Sequence, residues 1–137
     1  MNGRVVWVVD GDTIHVKLGH RVEKVRYIGV NAPEIPHPTP GWVKGGARAH
    51  AVNRQLVGGK DVALELDVRH RDDWRRLLAY VFVRRGRGRR RLFANAEMVR
   101  RGFAQVMTIP PNVRYQERFL KLEREAREAR RGLWGEG

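Results

Sequence analysis

The sequence predicts an α+β fold: a five-stranded β-barrel with a helix between strands 3 and 4 and two C-terminal helices. Three observations carry that expectation. Short valine-rich runs alternate in polarity, a proline- and glycine-rich stretch interrupts them after the third run, and an apolar stripe at helical spacing lies near the C-terminus.

Residues 4–9 are rich in valine and form the first predicted strand. Asp10-Gly11 is a tight-turn signal. Residues 13–18 place Ile14, Val16 and Leu18 on one face and His15 and Lys17 on the other, as in a half-buried hairpin partner. Gly19-His20 turns the chain into a third strand over residues 22–30. Pro33, Pro36, Pro38 and Pro40 then exclude a helix and remove sheet donors. Residues 31–46 are therefore expected to be a long loop, a kind of segment that often carries function. A helix follows over 47–57, with Ala47, Ala51, Val52 and Leu56 near one face and Gly58-Gly59 ending it. Residues 61–67 and 76–83 are the fourth and fifth strands. An arginine-rich tip at 84–91 leads through Leu92-Phe93 to an N-cap expected at Asn95 and a short helix stopping at Gly102. The last helix is expected to open at Pro111-Asn112 and close at Gly132. Its stripe of Tyr115, Phe119, Leu122, Ala126, Ala129 and Leu133 is read as core packing. Glu117 with Lys121 and Glu123 with Arg127 are favourable i, i+4 pairs. This element order fits an OB-fold barrel. With no repeat or linker visible, one domain is expected over residues 1–137.

A chain of 137 residues, 42% hydrophobic, can bury a real core. Cysteine is absent, which excludes a disulfide framework and a cysteine zinc site but does not fix the compartment. Twenty-eight Lys and Arg against 15 Asp and Glu give a net charge of +13, a field that attracts polyanions. Nucleic acid is the favoured partner, and an acidic membrane surface is the main competitor. No apolar run approaches the roughly 20 residues of a membrane span. The opening Met1-Asn2-Gly3-Arg4 does not have the form of a signal peptide, and the localisation stays open. No protein partner is implied, and a monomer is expected.

Acidic residues are outnumbered by basic ones, 15 against 28. Asp12 in a turn is ordinarily a backbone-capping carboxylate, and Glu34 in a loop is ordinarily solvated. Arg26 lies mid-strand with the parity of Ile28 and Val30, where a buried charge needs a partner, structural or functional. Arg76, beside Arg75, reads alone as a solvated cation. Together they match the needs of phosphodiester hydrolysis. Arginine forks bind phosphate and hold the charge of the pentacoordinate state. One carboxylate can anchor a hard cation, and a second can orient or deprotonate water. The five histidines form no zinc spacing or triad and receive no role.

Several segments occur in order along the chain. They are Asp10-Gly11-Asp12-Thr13, Val25 through Glu34, His37-Pro38, Asp72 through Tyr80, Val99 through Ala104, Pro111-Asn112 and Gly132-Leu133-Trp134. Over nearly its whole length the chain thus resembles the staphylococcal nuclease, or thermonuclease-like, family. The resemblance implies an OB-fold, calcium-dependent endo/exonuclease. Such an enzyme hydrolyses DNA and RNA, favours single-stranded or frayed substrate, and leaves 3′-phosphate ends. By the same resemblance Asp12 is a metal carboxylate, Arg26 and Arg76 hold the scissile phosphate, and Glu34 is the proposed general base. Asn31 and Ala32 occupy metal-site positions, and Lys44, Trp74 and Arg75 lie at substrate-facing positions.

Three departures bear on this reading. Asn31 stands for a second metal-binding aspartate, so its amide oxygen can ligate calcium but brings no charge. Ala32 replaces a threonine, a mild change if the backbone carbonyl is the ligand. Arg75 replaces a glycine and would be strained if the turn needs a positive φ. Trp74, in place of a tyrosine, can stack on a base. The family's later tyrosines are not matched near Thr108. The tip at 84–91, with six arginines, is a solvated turn or a phosphate-contacting patch. The alternative is a catalytically weak or inactive member that binds nucleic acid non-specifically, a reading Asn31 and Arg75 keep open. A basic membrane-surface or scaffold protein explains the charge alone.

Overall fold

The computed structural model describes residues 1–33 and 45–135. Strands β1 (Asn2–Val8), β2 (Thr13–Leu18) and β3 (Arg21–Tyr27) form an antiparallel meander. A short β4 (Val30–Asn31) and helix α1 (Gly46–Val57) follow. β5 (Asp61–Glu65) pairs with β1, and β6 (Leu77–Val83) pairs with β5, both antiparallel. A parallel β3–β6 pairing closes the ring of five strands. β7 (Leu92–Phe93) extends β6 before α2 (Ala94–Arg100), and β8 (Gln105–Val106) pairs with β4. α3 (Gln116–Glu128) and a 3-10 turn (Gly132–Gly135) complete the chain. The α+β barrel expected from the element order is the one observed.

Alternation decides the interior. Ile14 and Val16 are fully buried and face Val5, Val25 and Val62, while His15 and Lys17 point away. Helices α2 and α3 seal the barrel with Met98, Val99 and Phe119. The third strand ends early, at Tyr27 rather than Val30. Gly29 turns the chain at φ +82, and a Cβ there would meet the Phe119 ring at 2.7 Å. Of the expected stripe, Phe119 and Ala126 are buried, Tyr115 and Leu122 pack against the core, and Ala129 is an exposed C-cap. Glu123 serves a different neighbour from the one expected, accepting the Val106 N–H at 2.7 Å.

Two asparagines correct the expected helix starts. Asn95 is not an N-cap: α2 begins at Ala94, and Asn95 points into the barrel with no exposed surface. Its Oδ1 accepts the Val81 N–H at 2.8 Å, and its Nδ2 donates to the carbonyls of Ile28 (3.0 Å) and Ala79 (3.2 Å). Asn112 does not open α3, which starts at Gln116. It is buried and brackets Arg69, accepting that residue's N–H and donating to its carbonyl, both at 2.8 Å. The fourth strand stops at Glu65, and Asp67 leaves the ladder to accept the Tyr80 hydroxyl at 2.7 Å.

The entry to β6 is a tight turn built on Asp72. Its Oδ1 accepts the N–H groups of Trp74 and Arg76, both at 2.9 Å, and its carbonyl accepts the Arg75 N–H at 3.0 Å. Arg75 closes that turn at φ +63, the left-handed conformation a glycine adopts without strain.

Two stability changes follow. Asn95→Ala leaves the buried Val81 N–H and Ile28 carbonyl without a partner, while the Ala79 carbonyl keeps the Ile28 N–H, and should destabilise by about 2 kcal/mol or more in urea titration. Arg75→Gly relieves the left-handed strain and should raise stability by about 1 kcal/mol in the same assay, less the added freedom of the unfolded chain.

Candidate active site

The site is assembled from the β1–β2 turn, the end of β3 with its return through residues 30–32, and the turn into β6. The turn role expected of Asp12 falls to Asp10, whose Oδ1 accepts the Asp12 N–H at 2.9 Å. Asp12 itself is buried and reaches across the site. Its Oδ1 accepts the Thr13 hydroxyl at 3.0 Å, and its Oδ2 accepts the Ala32 N–H at 2.7 Å. Gly11 permits this approach, since a Cβ there would meet the Ala32 Cβ at 2.6 Å and the Ala49 Cβ at 2.9 Å. Asn53 of α1 braces the same turn, donating to the Asp10 carbonyl at 2.9 Å and accepting the Tyr27 hydroxyl at 2.6 Å.

Arg26 is buried, 9% exposed, but not on the core face assigned from its parity. Val25 and Tyr27 face the interior, so Arg26 points outward and is covered by the returning chain. Its Nη1 donates to the carbonyls of Tyr27 (3.0 Å) and Val30 (2.8 Å) and lies 3.5 Å from Asp12 Oδ2. Its Nη2 donates to Asn31 Oδ1 at 3.2 Å. Among the described residues the fork is thereby fixed by four oxygen partners, and the Asn31 amide is engaged by the arginine.

Arg76 is held by a different carboxylate. Its Nε donates to Asp72 Oδ2 at 2.7 Å, and its guanidinium lies over the Trp74 ring, 5.5 Å from the centroid. Among the described residues its two terminal nitrogens have no hydrogen-bond partner. Burial raises the Asp72 carboxyl, but the Arg76 and Trp74 N–H groups and the Arg76 charge outweigh it, leaving Asp72 below the usual carboxylate range.

The two arginines converge. Both line a cavity of about 160 Å³, with Arg69, Asp72 and Trp74 at its polar side and Ile28, Leu78, Met107 and Ile109 as its apolar wall. An adjoining groove joins Arg76 and Trp74 to Asp10, Thr13, His15 and Lys24. Trp74 is 76% exposed at the junction. Arg75 is exposed on the same turn. Glu34 and Lys44 lie outside the described residues. The 84–91 tip belongs to the far end of the seven-residue β6, roughly 20 Å from Arg76.

Three contributors were not assigned from the sequence: Asp10, Asp72, and Arg69 with its Asn112 bracket. Burial and then the Asp12 charge push the Asp10 carboxyl up to about 7. Two crowded carboxylates, with the Asn31 amide and nearby backbone carbonyls, make a hard-oxygen donor set of the kind a calcium ion takes. Among the described residues no three or more His, Cys, Asp or Glu side chains form a metal cluster. Any ion here would need carbonyl, water or substrate oxygens as well. No helix of the described residues is long and apolar enough to cross a membrane.

Comparison with known proteins places the chain among relatives. A family model described as "Staphylococcal nuclease homologue" matches residues 24–136. The thermonuclease of Staphylococcus hyicus is 30% identical over 131 residues, 96% of this chain and 74% of that protein. The thermonuclease of Staphylococcus intermedius is 32% identical over 128 residues, 93% of this chain and 72% of that protein. The SPbeta prophage-derived endonuclease YokF of Bacillus subtilis is 34% identical over 128 residues, 92% of this chain but 41% of that longer protein. With this fold, this paired-arginine site and a family match over most of its length, the chain belongs to the staphylococcal nuclease family.

Proposed function

We propose that this chain is a calcium-dependent nuclease that hydrolyses phosphodiester bonds of DNA and RNA, favours single-stranded or frayed substrate, and leaves 3′-phosphate ends. The observation that carries the reading is the convergence of Arg26 and Arg76 on one cavity, each held by its own carboxylate. A guanidinium already oriented by protein oxygens does not reorganise when charge builds on phosphate, which is the condition for electrostatic stabilisation of a transition state.

Asp12, with the Asn31 amide and the Ala32 carbonyl, would hold the calcium, and Asp10 lies close enough to add charge. When bound, calcium supplies a Lewis acid that polarises a phosphate oxygen. The residues do the rest. Arg26 and Arg76 bind the phosphate and neutralise its developing charge. Glu34 orients and deprotonates the attacking water. Asp72 is a positioning residue that aims Arg76, and Trp74 offers a face for the neighbouring base. The +13 charge draws the polyanion in.

The alternative, a weak or inactive module that binds nucleic acid non-specifically, is favoured by one observation. Asn31 brings no charge to the metal site, and its amide oxygen is engaged by Arg26.

Single-stranded DNA cleavage separates the two readings. Cutting is expected with calcium, with loss in EDTA and in Glu34→Gln while binding persists. A parent chain that binds DNA in calcium without cutting it would establish the module. Arg26→Ala and Arg76→Ala should each lower kcat by about 100-fold or more with a smaller change in KM, read from steady-state kinetics. Asp72→Asn keeps the backbone acceptor but loses the charge on Arg76, so kcat should fall by roughly tenfold while the thermal midpoint changes little.

A further inference from the structure

Cross-strand register sets a row of side chains on the outer face of the barrel. Trp7 on β1 stands opposite His15 on β2, and His15 stands opposite Lys24 on β3. One step before the parallel Val25–Leu77 pair, Lys24 is level with Arg76. Residues directly opposite across a ladder share a face. The row therefore reads Trp7, His15, Lys24, Arg76, and it ends where the Arg76 guanidinium lies on Trp74. The last three members and Trp74 line one groove.

Trp7 is 64% exposed, beyond the stretch of β1 that pairs with β5, while its neighbour Val8 is buried. A bulge between Val5 and Trp7 re-aims this part of β1. A single exposed tryptophan is ordinary on a protein surface. This one lies in line with a phosphate-binding arginine, with a lysine between them. His15 is held below its usual value by burial and then by the Lys24 charge, so the row's charge at neutral pH comes from Lys24 and Arg76. Its Nε2 is shut off from solvent and, among the described residues, has no hydrogen-bond partner. An aromatic face, a cation and a second aromatic face in sequence suit an unpaired nucleic-acid strand, whose bases stack and whose phosphates need charge.

We propose that Trp7 is a second base-stacking platform, on which an unpaired base flanking the scissile phosphate rests while Lys24 takes an intervening phosphate. The placement of the scissile phosphate at Arg76 rests on the nuclease reading above; the row itself rests on register and exposure. Trp7 and Arg76 are three interstrand spacings apart, roughly 14 Å. The strand is thus gripped on either side of the cut, which makes longer single strands better substrates than dinucleotides.

The test uses the full chain in EDTA and a fluorescent single-stranded oligonucleotide of about ten nucleotides, within the span of one barrel. Trp7→Ala should weaken Kd by about tenfold, and Trp7→Phe should stay within about twofold of the parent. In an abasic scan along the oligonucleotide, one position should weaken parent binding about tenfold and Trp7→Ala binding not at all. Unchanged Kd in Trp7→Ala, or an equal abasic loss in parent and variant at every position, overturns the proposal. With calcium, Trp7→Ala should cut a dinucleotide at the parent rate and an oligonucleotide less efficiently. A parent that cuts nothing, with the Trp7→Ala binding loss intact, rejects the nuclease reading and leaves the stacking platform standing. A parent that cuts while Trp7→Ala binds like it does the reverse.

Discussion

The parallel ladder between β3 and β6 is the constraint on which this molecule depends. A five-stranded sheet has two exposed edges, and joining them removes the unpaired backbone groups those edges would present. The ladder runs through Val25–Leu77, Arg26–Leu78 and Tyr27–Ala79. That register brings Arg26 on β3 beside the turn into β6 that carries Arg76, 50 positions further along the chain. Asn95 reinforces the seam from inside, binding Ile28 just beyond β3 and both Ala79 and Val81 of β6. The seam that closes the barrel is also the floor of the candidate site.

Charge is arranged around that seam by pairing each functional cation with one local acid. Arg26 lies against Asp12, and Arg76 is bonded to Asp72. Neither cation is spent on its acid: Arg26 also satisfies backbone carbonyls, and among the described residues the Arg76 terminal nitrogens have no hydrogen-bond partner. Such pairs contribute little to stability once desolvation is counted. Their value lies in fixing direction, since a guanidinium on a long flexible stem is otherwise an imprecise ligand. The excess positive charge elsewhere, including the tip remote from the site, acts at longer range on encounter with a polyanion.

Much of this was legible in the chain. Alternation at Ile14, Val16 and Leu18 fixed which face of β2 is buried, while most of the proline-rich run lies outside the described residues. The ordered motifs identified the family before any geometry was known, and Arg75, standing where a glycine is expected, marked a left-handed turn. Other readings failed for identifiable reasons. Asn95 and Asn112 precede helical segments and look like caps, because local sequence cannot distinguish an asparagine bonding its own helix from one bonding a distant strand. Arg26 shares parity with Ile28 and Val30, but the turn at Gly29 ends the strand, so parity no longer reports the same face. Glu34 and Lys44 lie beyond what the structure describes.

What the sequence determined by itself was what short-range pattern carries: the buried face of β2, the presence of the C-terminal helix, and the basic character. Tertiary structure alone decided which acid serves which arginine, that Asp10 rather than Asp12 caps the first turn, and that Trp7 stands in line with Arg76. These are matters of register and of hydrogen bonds between distant residues, such as Ala32 to Asp12 or Asn95 to Ile28. Periodicity fixes the face of a strand, but only the closed ring fixes which strand lies beside it and at what offset.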